Sequence, residues 1–255
     1  MHKEIKNCIV IIQARTDSKR FPKKVLSQIE GKPMLWHVIN RIKKIKCDEI
    51  VVVTTKRKID DEIIEIAKKQ KVKIFRGKTN DVLDRFYQAS LKLKADVIVR
   101  ITADCPLIDP IESQKILNKF LKGNFDYISN DSETYPNGLD TECFSFETLK
   151  KAWEESNLKS EKEHVTSYIW NNPKKFKIHT IHHKNKKKID HLRWSVDYPD
   201  DLEFVRQVYS KLYKKQKIFL MKDVLNLIKK DPNLIKINSS HKKNEGYLIS
   251  LKNDK

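Results

Sequence analysis

The stretch Ile9–Leu26, IVIIQARTDSKRFPKKVL, decides how the rest of the chain is read. Its opening run, Ile9–Ile12, has the length and apolarity of a buried strand. The run breaks at once into a polar segment carrying Arg15, Lys19, Arg20, Lys23 and Lys24. A solvated loop on a Lys-rich chain would account for the charge alone. The position favours function, because ligands of open α/β sheets sit beyond the carboxyl ends of strands. Arg offers a planar fork to phosphate oxygens, and Lys adds a mobile point charge. The segment holds neither GxxxxGKS/T nor GxGxxG, which sets aside a Walker A loop and the dinucleotide fingerprint. Side chains would therefore hold a polyphosphate here, with backbone N–H help near Ser18.

Outward from this loop, strand and helix patterns alternate. Pro33 fits the first turn of a helix, and Leu35, Val38, Ile39 and Ile42 follow at helical spacing. Glu49–Thr54 predicts the second strand, Ile59–Lys69 an amphipathic helix, Val72–Phe75 a third strand, and Arg76-Gly77 a turn. Asn80–Leu93 predicts a helix capped by Thr79 or Asn80, and Asp96–Ile101 a fourth strand. Four such alternations in about a hundred residues imply a parallel sheet with right-handed crossovers. Pro110 opens another helix, to about Leu121, and Asp126–Ser129 predicts a fifth strand. Beyond it, residues 130–141 are turn-rich, Phe144–Ser156 and Lys162–Trp170 look helical, and Lys175–His182 looks extended. Leu192–Val196 predicts a strand, Tyr198–Leu212 and Met221–Lys229 helices, and Tyr247–Leu251 a weak strand. The run Lys184–Lys188 suits a solvated hairpin tip.

A chain of 255 residues can bury a full core, and 39% hydrophobic residues in patterned runs argue against disorder despite 34% charged ones. The formal charge of +19 invites a nucleic-acid reading. However, only nine of the 53 basic residues are Arg, and the Lys are scattered along the chain rather than gathered on one face or tail. The charge suits the attraction of anionic substrates such as nucleoside triphosphates. Cys8, Cys47, Cys105 and Cys143 lie far apart with no CxxC pair, which points to a reducing, cytoplasmic setting and no zinc framework. There is no signal-peptide pattern and no run of 18 apolar residues, so no membrane span is expected.

Two acids each follow an apolar strand pattern directly: Asp104 after DVIVRITA and Asp197 after LRWSV. Both also precede Pro-containing helix starts, so a cap or turn role is an equal claim for each. A basic loop in the same sheet tilts the balance to a divalent metal site, since Mg2+ takes one or two carboxylates and completes its shell with phosphate oxygens and water. His179, His182 and His183 lack an acid or Cys at ligand spacing. Cys105 reads as a small buried residue behind Asp104 rather than a nucleophile, and Trp153, Trp170 and Trp194 as core or interface aromatics.

The order IIQARTDSKRFPKKVL, GKPML, DVLDRF, TADCPLIDP, NGLDTE, EHVT and RWSVDYPDDLE resembles the cytidylyltransferase family that activates acidic sugars. That family includes CMP-3-deoxy-manno-octulosonate and CMP-acylneuraminate synthetases, and the branch most similar is the one named after spore coat polysaccharide biosynthesis. The resemblance runs from about residue 8 to about residue 210. It implies a three-layer α/β fold of the nucleotide-diphospho-sugar transferase type, with a mixed, mostly parallel sheet. A single domain is expected, with a nucleotide-binding core over 8–129, a small acceptor and dimerisation arm over 130–190, and a return to the core over 191–255. By resemblance, Arg15, Ser18, Arg20 and Lys24 match the triphosphate loop, Gln13 and Ala14 approach the nucleoside, and Arg85 lies near the base. Asp104 and Asp197 match the Mg2+ ligands. Asp140, Glu142, Glu163, His164 and Arg193 fall on the acceptor side. Asp17 and Lys23 stand at positions where many relatives carry Gly at one or both, and the acceptor segments lack the longer pattern of the octulosonate enzymes.

The expected protein is a cytoplasmic, homodimeric nucleotidyltransferase. It would pass CMP from CTP to a sugar acid or a phosphorylated sugar or polyol, with Asp104, Asp197, Arg15 and Lys24 at the chemistry. Two alternatives stand beside it: the same fold using another nucleotide, for guanylyl or uridylyl transfer, and a non-catalytic basic nucleic-acid binder. The last leaves the two strand-end aspartates without a purpose.

Overall fold

The computed structural model describes residues 7–130, 133–184, 189–214, 217–241 and 245–254. Its first half winds as β1 (Cys8–Gln13), β2 (Gln28–Ile29), β3 (Lys32–Pro33), α1 (Met34–Ile42), β4 (Glu49–Thr55), α2 (Asp61–Lys69), β5 (Lys73–Gly77), α3 (Val82–Lys92), β6 (Val97–Thr102) and α4 (Pro110–Lys122). Next come β7 (Tyr127–Asn130), β8 (Glu142–Ser145), α5 (Phe146–Glu155), α6 (Lys159–Glu163), α7 (Ser167–Trp170) and β9 (Ile178–Ile181). The C-terminal part holds α8 (Pro199–Leu212), α9 (Met221–Lys230), α10 (Asn233–Lys236) and α11 (Glu245–Lys252).

Seven strands form one sheet in the order β5-β4-β1-β6-β8-β7-β9. All neighbours pair in parallel except β8, which runs antiparallel to both β6 and β7. The central strands are buried on both faces, as their unbroken apolar runs require. Val10, Ile12, Val52 and Val99 pack with α1, α2 and α4 on one side. Ile9, Ile11, Val51 and Ile98 pack with α3, α5 and α7 on the other. A third core gathers Trp194 and Val196 with the inner faces of α8 and α9. Among the described residues no helix is long and apolar enough to cross a membrane.

Several local expectations need correction. Arg76 and Gly77 end β5 rather than forming a turn. Pro33 sits just before α1 and pairs with Gln28 in a two-stranded ribbon. Asp81, not Thr79 or Asn80, caps α3 by accepting from the Asp84 amide at 2.8 Å. Glu142–Ser145 is a strand, and the helix expected from Phe144 begins at Phe146, capped by the Ser145 hydroxyl. The helix expected over Lys162–Trp170 breaks between α6 and α7, where buried Val165 takes φ 54°. Leu192–Val196 makes no ladder but a single bridge, Asn137 to Arg193. Residues 247–251 belong to α11 instead of a strand. Of the expected hairpin tip at Lys184–Lys188, residues 185–188 lie outside the described residues. Within 130–190, β8 and β9 take places in the central sheet.

Candidate active site

Beyond the carboxyl ends of β1 and β6 lies a cavity of about 570 Å3. The loop after β1 forms one wall. Buried Asp60 anchors this loop, accepting from the Thr16 amide at 2.8 Å and the Thr16 hydroxyl at 2.7 Å. Its return is closed by the Lys23 amide donating to Thr16 O, with Lys23 in the left-handed region at φ 58°. Gly takes that conformation without the steric cost that the Lys23 Cβ meets. Lys23 itself points away, 3.6 Å from Glu62.

Lys24 is turned inward instead and is only 7% exposed. Its ammonium donates to Asp104 Oδ2 at 2.7 Å, Asp197 Oδ1 at 2.8 Å and Val196 O at 2.7 Å. Asp104 sits just past β6, and its carbonyl accepts from the Val196 amide, tying the two acid-bearing segments together. Burial would raise the Asp104 carboxyl, but the Lys24 ammonium and its hydrogen bond more than reverse this and hold it at about 2. Burial likewise opposes the charge on Lys24, and Asp104 and Asp197 outweigh it, raising the ammonium above its ordinary value.

Asp197 also meets Arg20 at 2.7 Å and Arg193 at 2.9 Å. Arg193 grips Asp201 with a second pair of contacts at 2.8 and 3.0 Å, so it stands behind Asp197 as a brace. Asp201 in turn accepts from the Asp197 and Tyr198 amides at the start of α8. Gly138, at φ +101°, lets the 137–138 backbone press against Trp194 and Ser195, where a Cβ would collide.

All the residues assigned to the site from sequence line this one cavity. Gln13, Ala14, Ser18 and Arg85 lie on the β1–α3 side, with Arg15 held at 3.1 Å by Glu163. Arg85 is 2% exposed, and its Nε and Nη1 have no hydrogen-bond partner. Burial and the nearby Arg15 charge lower it to about 10. A buried guanidinium with free N–H groups of this kind is a ready donor to an anion or a carbonyl oxygen. On the far side, Glu142 is locked by Arg100, by the Tyr127 hydroxyl at 2.8 Å and by the Thr166 hydroxyl at 2.9 Å. Asp140 accepts from the Gly138 amide, and burial raises its carboxyl. His164 packs edge-on against Tyr247, and burial lowers its imidazole. Cys105 is buried beside Thr102 and Asp104.

Sequence reasoning missed two groups. Arg100, Ser129 and Thr180 join Glu142, which the sequence had already placed at the site, in a polar row across β6, β8, β7 and β9. A charged residue inside the apolar run of β6 was the available signal for Arg100. Glu245 and Tyr247 arrive from α11, and nothing in the local sequence marks them.

The two carboxylates offer hard oxygen donors converging on one point, a set that suits Mg2+; a positive charge, the Lys24 ammonium, sits at that point. Among the described residues no cluster of three or more His, Cys, Asp or Glu side chains gathers at metal-binding spacing. His179 stacks on Phe125, and His183 meets Tyr135 edge-on.

A mostly parallel sheet with a cationic loop and facing acids over its strand ends is the architecture of a nucleotidyltransferase. The profile of the cytidylyltransferase family matches residues 9–228. The chain belongs to that family. It is 38% identical over 235 residues to an uncharacterised protein of Methanocaldococcus jannaschii, spanning 91% of this chain and 94% of that one. It is 27% identical to the spore coat polysaccharide biosynthesis protein SpsF of Bacillus subtilis, over 88% of this chain and 95% of that protein. A solved cytidylyltransferase from Leptospira borgpetersenii superposes with a TM-score of 0.84 at 33% identity, covering 90% of this chain and 96% of that one.

Proposed function

We propose that the protein transfers CMP from CTP to a sugar acid or a phosphorylated sugar or polyol, releasing pyrophosphate. We take it to act as a cytoplasmic homodimer whose product feeds surface polysaccharide or glycan synthesis. The observation that carries the reading is the meeting of Asp104 and Asp197 at the Lys24 ammonium, beside Arg20 of the basic loop. An acceptor oxygen attacks the α-phosphorus, the bond to the bridging oxygen of the β-phosphate breaks, and pyrophosphate departs. Such a transfer needs alignment and charge neutralisation more than covalent help.

Mg2+, held by Asp104 and Asp197, would supply that neutralisation at the α-phosphate when bound. Arg15, Arg20 and Lys24 bind the triphosphate tail, exchanging their present carboxylate partners for phosphate oxygens. Unpartnered Arg85 supports the nucleoside end together with Gln13 and Ala14. Arg193 keeps Asp197 oriented through its grip on Asp201. Asp140, Glu163 and His164 face the acceptor, above a floor that includes Glu142.

Pyrophosphate release, measured with each of four nucleoside triphosphates and Mg2+ against a panel of acidic and phosphorylated sugars, tests the reading. Release that requires CTP and one acceptor class is expected. A preference for GTP or UTP would move the assignment to a guanylyl- or uridylyltransferase, and no release with any pair would remove it.

A further inference from the structure

The helix α11 lines the cavity through Glu245, Gly246 and Tyr247 and meets the site at two places. At its first residue, Glu245 Oε2 accepts from Arg20 Nη1 at 3.0 Å and from the Tyr198 hydroxyl. The other terminal nitrogen of Arg20 reaches Asp197. The guanidinium fork is thus filled by two carboxylates, and a phosphate group would need the same nitrogens. Further along, the Ser250 hydroxyl bonds His164 Nε2 at 2.8 Å, and the Tyr247 ring packs against His164 and Trp170. Just past the helix, Asp254 accepts from the Ser160 amide at 2.9 Å.

Apart from the Tyr247 ring, these contacts are polar. Leu248, Ile249 and Leu251 stand exposed on the outer side of α11, so little apolar burial holds it down. An element fixed in this way belongs to the easily opened end of a fold's stability range. Its acid also sits where a polyanion is expected, so a bound triphosphate would both take its partner and repel it.

We propose that Glu245 is an internal occupant of the triphosphate seat at Arg20. Nucleotide binding displaces it, frees α11 from His164, and opens the acceptor end only once the nucleotide is in place. This rests on the assignment of the cavity as a CTP site.

The test is calorimetric binding of Mg·CTP to the wild type and to Glu245→Gln, joined to hydrogen exchange of residues 245–252 with and without Mg·CTP. Gln keeps the size and drops the charge. The variant should bind about two- to fivefold more tightly, the range of a partly exposed ion pair, and the wild-type α11 amides should exchange faster when nucleotide is present. Equal or weaker binding by the variant, or unchanged or slower exchange in the wild type, overturns the proposal while leaving the CTP assignment intact. A wild type that binds no Mg·CTP overturns the assignment itself, and the proposal with it.

Discussion

At Asp197 three cations converge on one carboxylate, whereas Asp104 takes Lys24 alone among them. Replacing either acid by Asn removes charge but not volume, and Lys24 keeps one acid partner. Asp104→Asn and Asp197→Asn are therefore expected to stay folded and to lose about 10²–10³ in kcat, the usual cost of one electrostatic contact at a reacting phosphate. Turnover at saturating CTP and Mg2+ checks this; near wild-type kcat in either variant would refute that acid's role. A second residue-scale expectation concerns His37, which is buried and donates from Nε2 to Ile29 O at 2.7 Å. Burial, with Arg41 and Lys32 nearby, lowers its imidazole from 6.5 to about 4. The unfolded chain then binds a proton that the folded one refuses, so stability is full above pH about 6.5 and is lost as pH falls toward about 4, by of order 3 kcal/mol. Denaturant midpoints should drop over that interval, and should drop less in His37→Gln. At this scale the strand-end acids and the basic loop were legible, because each follows an apolar run. Arg100 was not, because its partnership with Glu142 depends on the β6–β8 register.

Sequence periodicity is right for most of the parallel half, β1 to α4 apart from the β2–β3 ribbon, and again for β7, α8 and α9, where strands are apolar runs and helices carry a clear inner face. The antiparallel insertion β8 was hidden because its four residues run directly into α5 with no turn between them. Leu192–Val196 carries an alternating pattern, yet it buries Trp194 and Val196 in the third core without pairing as a strand. Residues 247–251 alternate too weakly to tell strand from helix, and their place is set by Arg20 and His164, which are remote in the chain. One residue links two helices: Asp109 Oδ1 caps α4 through the Ile111 and Glu112 amides, and its Oδ2 accepts from the Met221 amide at the start of α9. Asp109→Ala removes both caps, and at about 1 kcal/mol each it should cost about 2 kcal/mol. Urea denaturation would report the loss, with little change in CTP binding beforehand.

For the whole molecule the excess of basic over acidic residues, +19, matters more for encounter than for folding. Within the cavity nearly every cation already has an acid, as Arg15 with Glu163 and Arg100 with Glu142 show. Long-range attraction of Mg·CTP therefore rests on the surface Lys. Raising salt from about 0.05 M to about 0.5 M should lower kcat/KM for Mg·CTP several-fold with kcat little changed. A salt series of initial rates would show it, and a flat profile would leave the surface charge without this role.

The seat of Asp197 has a further consequence. It is fixed mainly by α8 and by the third core, and joins the segment that carries Asp104 through the Val196 amide and Lys24. Chains emerge from the ribosome N-terminus first, so every strand can be laid down while the second half of the clasp is still inside the tunnel. A chain that stops short of Asp197 and α8 would carry the strands of the sheet without the second acid, which ties competence to the segment after β9.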